Sequence, residues 1–353
     1  MHSNHAQRAL EHFVIDRKIY DIIPVHQGYI NDTFRVIDEG IPKYILQKIN
    51  TTVFQNVPSL MQNLQRLLPF LEHAAYTSLE LMPTKARLPF YLDDYGHYWR
   101  LMTHVQDCTS YNFTEDTSVA FEVGKIIGLF HTLLENAPTN DFQDTLPQFH
   151  NLEKRLEEFY AAQKKASTER MKKAENAIRF ALATLPEVTL TTNTDIPVRI
   201  CHNDTKLNNI LFSKTTGKAL CLIDLDTVMK GYFHFDFGDA VRTVVNPAPE
   251  DEQQLDAIDF NIAIFEAVVQ GLKTSGLILS KREIELLSYG PVLMPYLHGI
   301  RALTDYLNND IYYKVAFPEQ NLQRSKSLFE FTRKALLAKA SMETIVKELL
   351  GTQ

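Results

Sequence analysis

Glycine is scarce, at 13 of 353 residues, where about 7% is usual. Glycine-rich nucleotide loops are therefore hard to build. Neither GxxxxGK[ST] nor GxGxxG occurs, which removes the P-loop and dinucleotide-binding readings. Cysteine is scarcer still. Cys108, Cys201 and Cys221 are an odd number with no CxxC pair, so they make neither a disulfide framework nor a cysteine zinc site. An excess of basic residues is missing too. The 36 Lys+Arg against 43 Asp+Glu give a net charge of −7, against the basic face of a dedicated nucleic-acid binder. No apolar run approaches the ~20 residues of a membrane span. The segment from Met1 to Arg8 lacks the charged-then-apolar layout of a signal peptide, so the cytoplasm is the expected location. What is present is an ordinary globular composition, 45% hydrophobic and 22% charged. The length allows two domains at about 150 residues each.

The first hundred residues read as mixed α/β. Strands are expected over Tyr29 to Ile37 and Lys43 to Ile49, set off by Gly28 and by Gly40-Ile41-Pro42. Leu60, Leu64, Leu67 and Leu71 recur at helical spacing. A second strand pair, Leu88 to Leu92 and His97 to Met102, turns at Asp93-Asp94-Tyr95-Gly96. The polar stretch Gln106 to Thr117 places a lobe boundary, giving units 1–105 and 106–353. Helices dominate beyond it: Val119 to Leu134, a charged run over Leu152 to Leu185 that is either continuous or broken, Asp256 to Gln270 with Gly271 as C-cap, and a terminal pair within Leu322 to Leu350. Cys201, Cys221 and His131 lie in apolar surroundings and read as buried core residues.

The densest polar cluster is Cys201-His202-Asn203-Asp204-Thr205-Lys206-Leu207-Asn208-Asn209. A short apolar strand, a polar turn (Ser213 to Lys218) and a second apolar strand follow, ending in Asp224-Leu225-Asp226. Folded as a hairpin, the segment brings the loop and the aspartates to one end. A loop carboxylate, an Asn five residues on and a second carboxylate 20 residues from the first suit phosphoryl transfer. One Asp accepts a hydroxyl proton, while the Asn oxygen and the other Asp hold Mg²⁺ on ATP phosphates. Such a reaction needs positioning and charge neutralisation more than covalent help. The alternative is a polar turn with an exposed Asp pair.

HNDTKLNN with LCLIDLD resembles the catalytic loop and metal segment of the aminoglycoside phosphotransferase/choline kinase superfamily. The blocks Gln27 to Phe34, Tyr44 to Asn50, Asp224 to Met229, Asp236 to Arg242 and Gly299 to Leu307 resemble its N-acetylhexosamine 1-kinase branch. The resemblance implies an α+β, protein-kinase-like bilobal fold with a small α/β N-lobe and a larger, mainly helical C-lobe. It implies ATP and Mg²⁺, with Asp204 as catalytic base and Asn209 and Asp224 as metal ligands. Asp226 would support the metal or the acceptor. Gly28, Asn31 and Thr33 would lie in a phosphate-covering turn. Lys48 is either the cation on the α/β-phosphates or a solvated edge lysine. Arg100 to Gln106 falls where backbone groups of a kinase hinge would meet adenine. Asp236-Phe237-Gly238, 32 residues past Asp204, lies outside the hairpin. It reads as structural, with Asp236 and Asp239 opening or capping a helix that includes Arg242; an acceptor contact by Asp239 or Arg242 is the alternative. His202 is expected to brace the loop. The segment His298 to Lys314 mixes charged and aromatic groups suited to sugar, with Arg301 and Tyr306 as acceptor contacts. The expected acceptor is a small-molecule sugar, at the anomeric hydroxyl of an N-acetylhexosamine, with no nucleic acid, membrane or obligate protein partner. Rival acceptors are choline, an aminoglycoside, homoserine or another sugar, and the rival class is a catalytically silent kinase-like binding module.

Overall fold

The computed structural model describes residues 2–16, 20–25, 30–189 and 195–351. The chain divides into two compact units. The first comprises Met1–Cys108, Ala137–Pro147 and Leu225–Met229; the second comprises Thr109–Asn136, Gln148–Asp224 and Lys230–Gln353. Two later segments thus return to the first unit, which a single boundary near residue 106 does not capture.

The first unit is built on an antiparallel sheet of β1 (Asp21–Val25), β2 (Asp32–Asp38), β3 (Ile41–Ile49), β4 (Tyr91–Leu92) and β5 (Tyr98–Thr103), ordered β1-β2-β3-β5-β4. β2 and β3 join through Glu39 and Gly40, both at positive φ (49° and 81°). That is the chemistry of a two-residue hairpin turn whose twist matches the strands, and it starts β3 two residues before Lys43. Asp93 organises the turn before β5, accepting hydrogen bonds from the Tyr95 and His97 amides and the Trp99 indole. Period-2 alternation gives the sheet two different faces. Phe34, Val36, Leu46, Trp99 and Leu101 pack one face against Ala6, Ala9, Leu10 and Phe13. On the other face Thr33, Gln47 and Arg100 stand in register across three strands. Helix Val57–Leu67 is N-capped by Asn56, whose side chain accepts the Ser59 amide, and continues as a 3₁₀ turn, Leu68–Leu71.

The second unit is helical around Gly290–Leu307, which is buried on nearly all sides. Leu152–Lys165, Thr168–Val188, Phe233–Val244 and Gln320–Leu350 pack on it. A helix buried on nearly all sides is a core helix, and its few polar groups, His298, Arg301 and Asp305 among them, need partners inside the protein. The charged run is broken at Ser167, which caps its second half. The expected terminal pair is one uninterrupted helix. Asp256 lies in a 3₁₀ turn, and the helix after it is Ile262–Lys273, capped by Asn261. Gly271 is inside that helix and is no cap. A Cβ there would sit 1.8 Å from the Phe121 carbonyl oxygen, and one on Gly124 would sit 1.9 Å from that of Val268. The two glycines let helices Thr117–Leu133 and Ile262–Lys273 meet backbone to backbone. Among the described residues no helix is long and apolar enough to cross a membrane.

Candidate active site

The catalytic-loop motif lies in the second unit, between strand Arg199–Cys201 and the hairpin Ile210–Ser213/Ala219–Leu222. Pairing runs Ile210 with Leu222 and Leu211 with Cys221. The next step is carried by a backbone bond, Ile223 N–H to Asn209 C=O at 2.8 Å. Asp224 therefore follows directly on a residue tied to Asn209. His202 adds a second tie. Its Nδ1 accepts the Asp204 amide at 3.2 Å and its Nε2 meets the Ile223 carbonyl at 2.9 Å. Together these bonds select the tautomer with the proton on Nε2.

Asp204 is half-buried. Its Oδ2 accepts Lys206 Nζ at 2.8 Å and Asn209 Nδ2 at 2.9 Å. Asn209 Nδ2 also donates to the Asp204 carbonyl. With its nitrogen so committed, Asn209 has Oδ1 as its available ligand atom. Burial works against the Lys206 charge, but Asp204 and Asp224 outweigh it and push its pKa above the usual lysine value. The three residues form one electrostatic group in which a cation stands beside two carboxylates.

The loop is held from below. Asn203 and Asp224 both have φ of 62°, a left-handed conformation that costs a non-glycine residue ~1–3 kcal/mol when something must enforce it. Asp236 enforces it at Asn203. Fully buried, its carboxylate accepts the His202 and Asn203 amides, each at 2.7 Å, and His131 Nε2 at 2.9 Å. His150 Nε2 donates to the Asn203 carbonyl at 3.0 Å. Gly231 leaves room for the turn, since a Cβ would lie 2.8 Å from Asn203 Oδ1. Asp236 is thus a brace for the loop and does not cap its own helix, Phe233–Val244, whose N-cap is Tyr232. His131, Cys201 and Asp236 bring possible ligand atoms within 4.8 Å of one another. Burial pushes the Cys201 thiol pKa well up and Asp236 is engaged with the loop, so this trio suits a core better than a metal.

Arg301 lies on the core helix Gly290–Leu307. Its guanidinium stands 4.7 Å from the Phe149 ring centre, 5.9 Å from that of Tyr312 and 6.0 Å from that of Tyr313. Burial opposes its charge, but Tyr313, Tyr312 and the Asp204 carboxylate push its pKa up. One turn earlier, His298 Nε2 meets Asp239 Oδ1 at 3.2 Å, and Asp239 also accepts Arg242 Nε at 2.7 Å. Burial raises the Asp239 pKa, yet Arg242 and His298 bring it far below the carboxylate range. Asp239 therefore serves this ion cluster and neither opens nor caps the helix. Tyr306 is 1% exposed, its ring 4.6 Å under the Arg170 guanidinium, which places it in packing.

In the first unit the polar sheet face forms one network. Gln47 Nε2 donates to Thr33 Oγ1 at 3.1 Å, and Gln47 Oε1 accepts Arg100 Nε at 2.9 Å. Arg100 pairs with Asp226, which also accepts Asn31 Nδ2 at 2.7 Å. Asn31 Oδ1 accepts the Asn50 amide. Arg100 and Asp226 are 1% and 2% exposed, so Asp226 is enclosed by protein partners. Lys48 lies on the opposite face, held by Asp32 at 2.6 Å. Gly28 lies outside the described residues.

The structure thus gathers Asp204, Asn209 and Asp224 in one unit, with Arg301 in the field of Asp204. Asn31 and Asp226 come together in the other. Three contributors escaped the sequence. Lys206, two residues past Asp204, was legible as the one cation inside the motif. Arg100 sits where backbone alone was expected to act, and only the register with Gln47 shows its side chain to matter. Asp236 as a brace had no local signal, because its partners are more than 30 residues away.

The chain matches the phosphotransferase enzyme family over residues 21–263. Among solved structures it resembles a microcompartment-associated aminopropanol kinase, with TM-score 0.66, 16% identity, and 97% of this chain and 98% of that one covered. An aminoglycoside 2'-phosphotransferase-IIIa in its GDP complex gives 0.61, 13%, 93% and 99%. A choline/ethanolamine kinase family protein from Mesorhizobium loti gives 0.57, 12%, 99% and 100%. These likenesses show a kinase-like bilobal fold with an antiparallel-sheet N-lobe and a helical C-lobe. The chain belongs to the phosphotransferase enzyme family and is an ATP-dependent phosphotransferase that uses a divalent metal and acts on a hydroxyl group.

Proposed function

We propose that the protein transfers the γ-phosphoryl group of ATP to the anomeric hydroxyl of an N-acetylhexosamine, giving a sugar 1-phosphate. The observation that carries this reading is the Arg301 group. A guanidinium occupies the aromatic surroundings of Phe149, Tyr312 and Tyr313, within the field of the catalytic carboxylate. A cationic acceptor, such as choline or an aminoglycoside, would want those aromatic faces for its own charge and would meet a cation already in place. A neutral, hydroxyl-rich acceptor gains instead from a fixed donor and from ring faces for its C–H groups. The likeness of the Asp224 to Met229 and Gly299 to Leu307 blocks to the N-acetylhexosamine 1-kinase branch supports the same choice.

The geometry supports the following roles. Asp204 Oδ1 takes the proton of the attacking hydroxyl as the new O–P bond forms, and ADP leaves with the electrons of the broken bond. Lys206 holds Asp204 Oδ2 and places positive charge where the phosphoryl charge spreads. Asn209 Oδ1 and the Asp224 carboxylate would hold Mg²⁺, which when bound neutralises phosphate charge, and both are hard oxygen donors of the kind this ion prefers. Asn31 and Thr33 are the nucleotide-side candidates, since they belong to the polar network of Gln47, Arg100 and Asp226. Lys48, on the other face, is left in its ion pair.

Arg301→Ala tests the reading. A charged hydrogen bond contributes ~1.5–3 kcal/mol, so the KM for N-acetylglucosamine or N-acetylgalactosamine should rise about 10- to 100-fold, with the KM for ATP nearly unchanged. An unaltered sugar KM, or stronger turnover of a cationic amine than of either sugar by the parent protein, would move the acceptor to another class.

A further inference from the structure

Asp305 stands one helical turn beyond Arg301 on the same face. Its carboxylate is 4% exposed and does not point at an open space. Oδ1 accepts the Ile311 amide at 3.0 Å and the Tyr312 amide at 2.8 Å; Oδ2 accepts the Tyr313 amide at 2.9 Å and Asn321 Nδ2 at 2.9 Å. The Asp305 carbonyl accepts the Asp310 amide at 2.8 Å. The chain between is not one that folds this way unaided. Asn309 and Asp310 have φ of 69° and 58°, two successive left-handed residues without glycine. Asn321 Nδ2 and Arg170 Nη1 bind the Asp310 carboxylate at 2.9 and 2.8 Å. The turn is therefore gripped at both ends by buried polar groups. Its product is the pair Tyr312 and Tyr313, set edge to face at 4.8 Å against Arg301.

Taking the acceptor to bind beside Arg301 and Asp204, as proposed above, we infer that Asp305 is the positioning residue for acceptor recognition. Its carboxylate folds the 308–313 turn, and the turn presents Tyr312 and Tyr313 to the Arg301 guanidinium and the acceptor. Asp305 itself makes no acceptor contact; it sets which ring faces the acceptor meets. Such a clamp separates affinity for the acceptor from affinity for ATP. A residue that only stabilised the fold would not act on one substrate alone.

The test is Asp305→Asn, which keeps the volume but turns an amide N–H₂ toward one of the bound backbone N–H groups. Two readouts are taken on the full chain: hydrogen exchange at residues 311–313, and KM for N-acetylglucosamine and for ATP. The expected result is exchange at those amides about tenfold faster or more, acceptor KM raised about tenfold or more, and ATP KM within about twofold. Tyr312→Ala, at a half-exposed position that folding tolerates, should reproduce the acceptor effect with the clamp amides still protected. Unchanged exchange in Asp305→Asn overturns the inference, as does an equal rise in both KM values, or an acceptor KM that Tyr312→Ala leaves alone. If the parent protein does not turn over the sugar, the acceptor assignment above fails, and the clamp is then judged by exchange and by KM for ethanolamine as the alternative probe.

Discussion

Asp204, Asp224 and Asp236 are three aspartates of one sequence neighbourhood that the structure puts to different uses. Asp204 is half-buried with one oxygen taken by Lys206 and Asn209, which leaves the other for the proposed role of base. Asp204→Asn should lower kcat by at least a few hundredfold, the scale of general-base contributions (~10²–10⁴), with little change in ATP affinity. Retention of more than about a tenth of the activity would remove the base from Asp204. Asp224→Ala should abolish turnover or shift the Mg²⁺ requirement sharply upward, because a carboxylate supplies both charge and ligand oxygen. Asp236→Asn should do neither. It leaves a backbone N–H of the loop facing an amide nitrogen in a site with no water access, a loss of ~1.5–3 kcal/mol per charged hydrogen bond. The thermal midpoint should fall and kcat with it, while the Mg²⁺ dependence keeps its shape. A metal defect in Asp236→Asn and none in Asp224→Ala would reverse the assignment.

The elements show what local pattern reveals and what it hides. The hairpin from Ile210 to Leu222 was legible because two short apolar runs flank one polar turn, and its pairing ties the residue before Asp224 to Asn209. β3 and β5 were legible from alternation within a residue or two at their ends, whereas β2 and β4 begin three residues later than expected and β1, with a proline inside it, was not anticipated. Long-range contact was not. Gly271 has the local look of a C-cap, since glycine commonly follows a helix; its actual reason lies in the Phe121 carbonyl of another helix. Arg100 and Asp226 are 126 residues apart, so no window along the chain could join them. The helix contact makes its own prediction. Gly271→Ala places a methyl against backbone that cannot swing aside, and overpacking of this kind costs ~1–3 kcal/mol. Thermal melts should show the loss while acceptor and ATP KM values hold, and a melt unchanged from the parent would mean that the two helices do not meet as described.

At the scale of the whole molecule, buried histidines tie stability to pH. His150 and His234 are held to pKa values of about 3, against 6.5 for an ordinary histidine. Burial is the main cause in both; for His150 the next is His298, partly offset by Asp239. In the unfolded chain each binds a proton near 6.5, and in the folded chain neither does until about 3. Between those values the unfolded state carries more protons, so the stabilisation is complete above about pH 6.5 and is lost progressively as pH falls toward 3. Calorimetric midpoints should drop steadily from pH 7 to pH 4, and a His150→Gln variant that still folds should show a shallower slope. An equal slope in the variant would exclude His150 as a source.

Asp204, with Arg301 and its aromatic partners, carries the central claim, and the position of the transferred phosphate tests it most directly. The protein would be incubated with ATP, Mg²⁺ and either free N-acetylglucosamine or its 1-O-methyl glycoside, and the products read by phosphorus NMR. A site that rejects substrates leaving its polar groups unpaired can discriminate by up to ~10⁴-fold, and the glycoside also lacks the attacking hydroxyl. The account predicts an anomeric sugar 1-phosphate from the free sugar and no phosphorylated product from the glycoside. Efficient phosphorylation of the glycoside, or turnover of choline or an aminoglycoside alone, would contradict it.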